Sequence, residues 1–471
     1  MMWVPNVTFL LLTLSTICYG DNPGFKFQIT EQGLQKGVEY LLNSMMSNNT
    51  VYQLPDVTGS QKILSEDMKY EFKQIRMVEL HHGAISSQWI PETGVHVLME
   101  NGDATINCNW KLDSWLIKDS GSSVVKLIRI SISMMMGIQR IDPGVPSIYL
   151  VDCQASVQDV DVQMLDGISY IVENMKEPIK NVVRQNVNQQ VCSLIREQVE
   201  KLDHSMKQSK LNETLNPSVE LDLSLVGSPE ISDQQASIGL KGLFRTRNES
   251  HSETAFSPAP MTLPVQDGAM FYIGVSQSSL DSFCSAYYTA GRLTFQVSDK
   301  VGTKELTTST LAAYMPEISQ HFPSPVPVKI QIYATKPPQL VLQSNNMTIQ
   351  FGGSVRTYGY PSKAKTKIIS IVDIVASFQA SMSFAEAKEA CCLNLTGSMI
   401  LNWLQIEGSQ PVVEGQQGVV TENGFQQMFR EMLIPSLNYK LEEGLCFPRY
   451  FLKNASCRVQ QGLVMLAADM K

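Results

Sequence analysis

Thr30-Glu31-Gln32-Gly33-Leu34-Gln35-Lys36-Gly37-Val38-Glu39-Tyr40-Leu41-Leu42-Asn43-Ser44-Met45-Met46 opens the mature chain with one clear period. Leu34, Val38, Leu41, Leu42 and Met45 recur at intervals of three and four, so they share one helix face, with Thr30 placed as the cap. Downstream the period drops to two. Val95-His96-Val97-Leu98-Met99 and Ile128-Arg129-Ile130-Ser131-Ile132-Ser133-Met134 read as strands, and Asn101-Gly102 and Asp119-Ser120-Gly121 as hairpin turns. A second long helix then carries Ile168, Ile171, Val172, Met175, Ile179, Val182, Val183, Ile195 and Val199 on one broad face; Pro178 within it predicts a new segment or a kink. Residues 218–226 return to strand texture, and Gly227-Ser228-Pro229-Glu230 reads as a linker.

The second half repeats the plan. Strand texture covers Met270–Val275, Leu293–Val297, Val328–Ile332, Thr348–Phe351 and Ile368–Phe378, and helices are predicted near 305–321 and 424–443. The fold class is α+β. A twisted antiparallel sheet has one face to bury, and a long apolar helix can cover it. Where the two do not close tightly, an elongated apolar groove remains, able to take lipid acyl chains. The plainer alternative is that these faces are packed core.

With 471 residues, 43 % apolar and 17 % charged, the chain is long enough for two domains. Phe9–Leu14 is apolar and too short to span a bilayer, so residues 1–20 are predicted to be a signal peptide cut after Gly20, and the protein to be secreted. Export makes disulfides expected among Cys108, Cys153, Cys192, Cys284, Cys391, Cys392, Cys446 and Cys457. Cys446 and Cys457 flank a turn near Pro448 and could bridge a hairpin, and Cys284 could pair with Cys391 or Cys392. N-glycosylation sequons stand at Asn48, Asn212, Asn248, Asn346, Asn394 and Asn454. Nucleophile-elbow, zincin, Walker A and dinucleotide fingerprints are missing, and His81-His82 lacks a third metal ligand. The reading is therefore a non-enzyme with no cofactor and no metal. A net charge of −8 argues against nucleic acid as a partner.

Several segments resemble the family of bactericidal/permeability-increasing protein, lipopolysaccharide-binding protein and cholesteryl ester transfer protein. Asn22-Pro23-Gly24-Phe25-Lys26-Phe27-Gln28-Ile29-Thr30 is similar to the family's opening strand and helix start. Leu54-Pro55-Asp56-Val57-Thr58-Gly59 is similar to the turn after that helix, and Leu225-Val226-Gly227-Ser228-Pro229 to the start of the linker. Gly239-Leu240-Lys241-Gly242-Leu243-Phe244 resembles the strand that follows. Met270-Phe271-Tyr272-Ile273-Gly274-Val275-Ser276 and Met465-Leu466-Ala467-Ala468-Asp469 resemble the opening and closing strands of the second half. The shared order, from about residue 22 to 469, is what makes the match specific.

The resemblance implies a boomerang of two elongated barrels, each a twisted antiparallel sheet wrapped on long helices, joined by a central sheet. The halves would be an N-terminal lipid-binding barrel over 21–226, a linker over 227–239 and a C-terminal barrel over 240–471. It implies a disulfide between Cys153 and Cys192. It implies a monomer that holds phospholipid or another acyl lipid and touches membrane or lipoprotein surfaces transiently. Lipid contact is expected from Leu34, Val38, Leu41, Leu42, Met45, Ile171, Val172 and Met175. One departure concerns charge. Residues 21–226 carry 18 Lys plus Arg against 26 Asp plus Glu, a net of −8, where endotoxin-binding relatives are cationic. In Asn107–Gly121, Lys111 and Lys118 are offset by Asp113 and Asp119. Lipopolysaccharide binding as part of innate immunity is thus disfavoured, because lipid A phosphates need several cationic donors. Trp110, Trp115, Leu116 and Ile117 could instead meet a membrane, or pack on the sheet end.

Overall fold

The structure is a computed structural model that describes residues 22–46, 52–63, 66–115, 118–141, 143–166, 169–208, 211–247, 256–264, 268–298, 300–301, 304–362, 365–386, 392–411, 421–448 and 452–470. The described chain enters as β1 (Phe25–Thr30) and turns straight into α1 (Glu31–Met46). Thr30 caps that helix as expected: its Oγ1 accepts from Gly33 N at 3.3 Å. Then come β2 (Tyr52–Gln53), β3 (Val57–Ile63), β4 (Glu66–His81), β5 (Ala84–Ile90), β6 (Gly94–Asp113), β7 (Lys118–Ile141) and β8 (Val145–Met164). The 40-residue α2 (Ser169–Gln208) follows and runs unbroken through Pro178. The ring removes one backbone N–H, but docking along β8 holds the segment in a single helix.

The strands are longer than their sequence signals because bulges break the alternation. In β6, Val95, Val97 and Met99 point inward, and after Asn101 the inward set becomes Ala104, Ile106, Cys108, Trp110 and Leu112. Asn101 sits at φ 57°, where the register with β7 shifts. Asn101-Gly102 is thus a bulge within a strand rather than a hairpin turn; both demand a left-handed residue. The same change of phase occurs in β7 at Arg129 (φ 55°), between Leu127 and Ile130, and in β4 at Gln74 (φ 52°), between Phe72 and Ile75. Asp103 accepts from Arg129 N at 3.1 Å, so the bulges of β6 and β7 are neighbours. Such bulges curl a sheet. Asp119-Ser120-Gly121 likewise lies within β7, not at a turn.

The rest of the chain supplies β9 (Asn212–Asn216), β10 (Val219–Asp222), β11 (Glu230–Ile231), β12 (Gln235–Leu240), β13 (Leu243–Thr246), β14 (Phe271–Ser276) and α3 (Gln277–Thr289). It continues as β15 (Thr294–Ser298), β16 (Lys300–Val301), β17 (Lys304–Glu305), α4 (Thr308–Leu311), α5 (Ile318–His321), β18 (Val328–Ala334), β19 (Gln339–Gln343), β20 (Asn346–Ser362), β21 (Lys365–Glu386) and β22 (Cys392–Pro411). It ends with α6 (Glu422–Met428), a π-helical turn (Phe429–Leu433), α7 (Ile434–Leu441), β23 (Leu445–Pro448), β24 (Leu452–Gln460) and β25 (Leu463–Met470). The π turn stands just before Pro435, whose missing N–H forces the ladder to widen by one residue.

Two seven-stranded antiparallel sheets dominate, β2-β4-β6-β7-β8 with β3 on β4 and β5 on β6, and β15-β18-β20-β21-β22-β23 with β19 on β20. A six-stranded sheet in the order β11-β12-β1-β14-β25-β24 draws strands from both halves of the sequence. Packing divides the chain into one unit of 29–209 with 228–237, and another of 1–28, 210–227 and 238–471. Residues 22–28 and 211–227 pack with the C-terminal half, across the division expected at residue 226. The expected linker over 227–239 contains the β11–β12 hairpin, closed by Ser232 N donating to Gln235 O at 2.9 Å. Gly24 is required in the second unit: its N donates to Leu240 O at 3.0 Å, and a Cβ there would meet Lys241 O at 2.1 Å.

Candidate functional site

The N-terminal unit has two apolar clusters, and they separate the predicted site residues. Leu34 is 9 % exposed and packs with Trp89, Val95, Val97 and Ala236, with Val38 partly buried beside them. Leu42 is half-buried. Leu41 is 60 % exposed, which corrects its assignment to the inward face. The reason lies in Gln35. Its Nε2 donates to Ile85 O at 2.8 Å and its Oε1 accepts from Ser87 N at 2.8 Å, pinning α1 on the open edge of β5 and turning Leu41 outward. The side chains of Met45, Ile171, Val172 and Met175 lie outside the described residues.

The second cluster encloses a cavity. Its walls are Phe72, Ile75 and Met77 of β4, Ile106 and Cys108 of β6, Val125 and Leu127 of β7, the Leu54–Val57 segment, and Ile179, Val182, Val183, Asn186, Val187, Gln190 and Val191 of α2. The space not filled by protein atoms, open mouth included, is about 730 Å³. None of the described lining residues comes from α1. The α2 contribution begins at Ile179, Val182 and Val183, three residues of the predicted broad face, and extends beyond it to Val187 and Val191. Valines on α2 leave room that larger side chains would fill. In the C-terminal unit the helical segment over 422–441 instead presents Phe425, Met428, Phe429 and Leu433 to the sheet core, with Phe378 and Phe429 rings 6.2 Å apart.

The cavity is held from both sides. Leu54 N donates to Ile75 O at 2.8 Å, and the bulged Gln74 N donates to Asp56 at 3.0 Å, so Leu54-Pro55-Asp56-Val57 is tied to β4. On the other side the Cys153–Cys192 disulfide joins β8 to α2 with Cα atoms 5.7 Å apart. The 39-residue separation closes a loop worth about 4 kcal/mol in the chain-entropy account. Asn188 Oδ1 accepts from Ala155 N at 2.7 Å, and Asp203 accepts from Ile148 N at 3.0 Å and Ser147 Oγ at 2.7 Å.

The cavity's walls offer little ionic chemistry. Burial pushes the Cys108 thiol up, against a hydrogen-bonded contact to Ser123 Oγ at 3.2 Å. Lys180 pairs with Glu177 at 3.0 Å and Arg184 with Asp159 at 3.2 Å, and neither lines the cavity. Among the described residues no group of three His, Cys, Asp or Glu could hold a metal. His82 sits between Asn43 Oδ1 and Gly83 O, each at 2.9 Å.

Other expectations are corrected. Cys457 and Cys284 are free thiols. Cys446 lies on β23 opposite Asn394, whereas Cys457 on β24 faces Leu466, so the two sit in different sheets and cannot bridge a hairpin. Trp110 is 2 % exposed, its Nε1 donating to Ser122 O at 3.2 Å; Trp115 is 79 % exposed. Leu116 and Ile117 lie outside the described residues. Lys118 reaches Asp113 at 3.6 Å, so that hairpin carries its own countercharge. Of the sequons, Asn454 is exposed with its Nδ2 donating to Asp469 Oδ2 at 2.8 Å, Asn212 and Asn346 are half-buried, and half-buried Asn394 donates to Glu443 O at 3.0 Å. Asn48 and Asn248 lie outside the described residues.

Comparison with known proteins agrees with this architecture. The model of the LBP / BPI / CETP family, N-terminal domain, matches residues 33–202, and that of the family's C-terminal domain matches residues 213–471. The chain belongs to the LBP/BPI/CETP family. The family is one of lipid-binding and lipid-transfer proteins. A bactericidal permeability-increasing protein of Sebastes schlegelii is 25 % identical, over 100 % of this chain and 98 % of its own. A human BPI fold-containing family C protein is 26 % identical over 95 % of this chain and 89 % of its own. Human lipopolysaccharide-binding protein is 22 % identical, covering 98 % and 96 %. A crystal structure of lipopolysaccharide binding protein shares the LBP/BPI/CETP fold with a TM-score of 0.57, at 19 % identity, over 96 % of this chain and 99 % of that one. No described helix is long and apolar enough to cross a membrane.

Proposed function

We propose that the protein is a secreted carrier that binds an acyl lipid in the cavity beneath α2 and exchanges it with membrane or lipoprotein surfaces. It works as a monomer, without cofactor or catalysis, and carries glycans at accessible sequons such as Asn454. The observation that carries this reading is the apolar space between the valine face of α2 and the curled sheet. Burial is worth roughly 0.8 kcal/mol per methylene against water. A bilayer offers the lipid about the same gain, so the protein should trade lipid with bilayers rather than trap it.

The names of the relatives favour a second reading, recognition of lipopolysaccharide. Charge opposes it, since residues 21–226 are net −8 and Lys118 is answered by Asp113. The decisive experiment is organic extraction and mass spectrometry of the gently purified full-length protein, followed by incubation with labelled vesicles. Co-purified acyl lipid and uptake from vesicles are the expected result. Protein that is lipid-free and takes up none would overturn the proposal.

A further inference from the structure

The outer face of the C-terminal sheet carries cations that no described carboxylate neutralises. Val297 of β15, Ile330 and Ile332 of β18, and Val355 and Thr357 of β20 are buried toward the core. Alternation therefore turns Gln296, Gln331 and Arg356 to the opposite face. The three stand in one row, Gln296 opposite Gln331 and Gln331 opposite Arg356. Lys329, opposite Tyr358, is a diagonal neighbour of Arg356, roughly 7–8 Å away. We propose that this row is a binding site for a tetrahedral oxyanion, a phosphate or sulfate group that arrives free or as the monoester of a sugar.

Charge carries the first half. β15, β18 and β20 contain no Asp or Glu. Arg356 is half-buried, and neither it nor Lys329 forms an ion pair among the described residues. The contacts of Arg356 are phenols instead. Its guanidinium lies 4.7 Å from the centre of the Tyr333 ring, and a hydrogen bond to the Tyr358 phenol favours its charged form. Its buried Nε has no acceptor among the described residues. A cation drawn part-way out of water is costly without a counter-ion. Arg245, also half-buried, has one: Glu220 stands at 2.6 Å. On β21 the carboxylate of Asp373, opposite Ser354, has its Oδ2 3.9 Å from the Cβ position of Gly408, on the β22 side and away from β18.

Shape carries the second half. Neighbouring strands are about 4.8 Å apart, so donors from β15, β18 and β20 are spread over about 10 Å. They comprise a guanidinium, an ammonium and two carboxamides, and the side chains of Gln296 and Gln331 have no partner among the described residues. A planar carboxylate would spend both oxygens on the guanidinium fork. A tetrahedral group has oxygens left for the amides and for Lys329. Stacking on Tyr333 holds that fork in place before any ligand arrives, which lowers the ordering cost of binding. The tyrosine rings beside it offer the apolar face of a sugar a surface to lie on.

The test is calorimetric titration of the full-length protein at fixed ionic strength, so that screening stays constant. The probes are inorganic phosphate, inorganic sulfate, glucose 6-phosphate and glucose 6-sulfate, with acetate as the planar control. Saturable binding of the tetrahedral anions is expected, with acetate about tenfold weaker. Arg356→Gln should weaken that binding about tenfold and Lys329→Gln about threefold, while Lys453→Gln on β24 leaves it unchanged. Gln331→Leu, expected to weaken binding about threefold, takes the place of Arg356→Gln if that variant does not fold. Esters that bind more tightly than the inorganic ions identify a sugar monoester as the source, and esters that bind no more tightly identify the free ion. No saturable binding, binding that the row variants leave intact, or acetate as tight as phosphate overturns the site.

Discussion

At the scale of single residues, burial decides what chemistry remains open. Cys284 on α3 is a free thiol that burial, reinforced by Asp281, pushes up to about 12, and burial holds Cys457 at about 11. A thiol in an unfolded chain ionises near 8.5. Alkylation at pH 8 should therefore leave Cys284 and Cys457 unmodified in the native protein and modify both in denaturant, as peptide mapping can check. Position on α1 makes a second, sharper contrast. Leu34→Asp places a carboxylate in the Trp89–Val97 cluster and should cost more than about 3 kcal/mol. Leu41→Asp should change stability by less than about 0.5 kcal/mol, because the side chain already faces water. Urea titration of both variants separates the inward from the outward face. The helical period alone could not make this distinction. Leu34 and Leu41 fall on one stripe, and only the Gln35 anchor on β5 sets how that stripe is rotated.

At the scale of elements, several helices close an exposed strand edge with side chains, the edge of β22 beyond its short pairing with β23 included. Gln35 of α1 serves β5, Asn188 and Asp203 of α2 serve β8, and Gln277 of α3 accepts from Leu342 N of β19 at 3.1 Å. In the C-terminal unit Asn438 both accepts from Met399 N at 2.8 Å and donates to Met399 O at 3.0 Å, while Arg430 and Gln426 donate to Leu401 O and Leu404 O of β22. The Asp203 contact is sensitive to pH. Burial works to raise its carboxyl, but hydrogen bonds from Lys207, Ser147 and Ile148 together leave it below the ordinary carboxylate value. The stability it contributes is present above the unfolded-chain pKa of about 3.9 and is lost as pH falls through the lower folded value. Melting curves taken from neutral to strongly acidic pH should show Asp203→Asn losing part of the acid-dependent decline seen in the parent. Strand content and the two long helices were legible from periodicity, whereas the bulges were not. Asn101-Gly102 announces a left-handed residue, and the switch from Val95, Val97 and Met99 to Ala104, Ile106 and Cys108 shows that it shifts a strand's phase instead of reversing the chain. Helix α3 escaped the reading because its buried face is Ser279, Ser282 and Ala286, too small to give an apolar signal. The expected helix near 305–321 divides into α4 and α5 ahead of and beyond Pro316.

At the scale of the whole molecule, charge and cavity speak to the partner. With residues 21–226 at net −8, lipopolysaccharide affinity should be low and nearly independent of ionic strength. Direct titration at low and high salt measures this, and tight, steeply salt-dependent binding would contradict it. The cavity was half visible in the sequence: Ile179, Val182 and Val183 belong to an apolar helix face, but its sheet walls come from four separate segments that only the curl brings together. The side-chain closures of the edge strands carry one more consequence. An open strand edge invites pairing with a second molecule, and natural sheets protect it. Along β8, and along β22 beyond the four residues paired with β23, the protection is a helix and a few side chains. At β8 and β22 the backbone becomes available to another chain only when a helix lifts. Self-association into fibrous or amorphous deposits should therefore begin from molecules whose helices have undocked, and it should be slowest where Cys153–Cys192 keeps α2 in place.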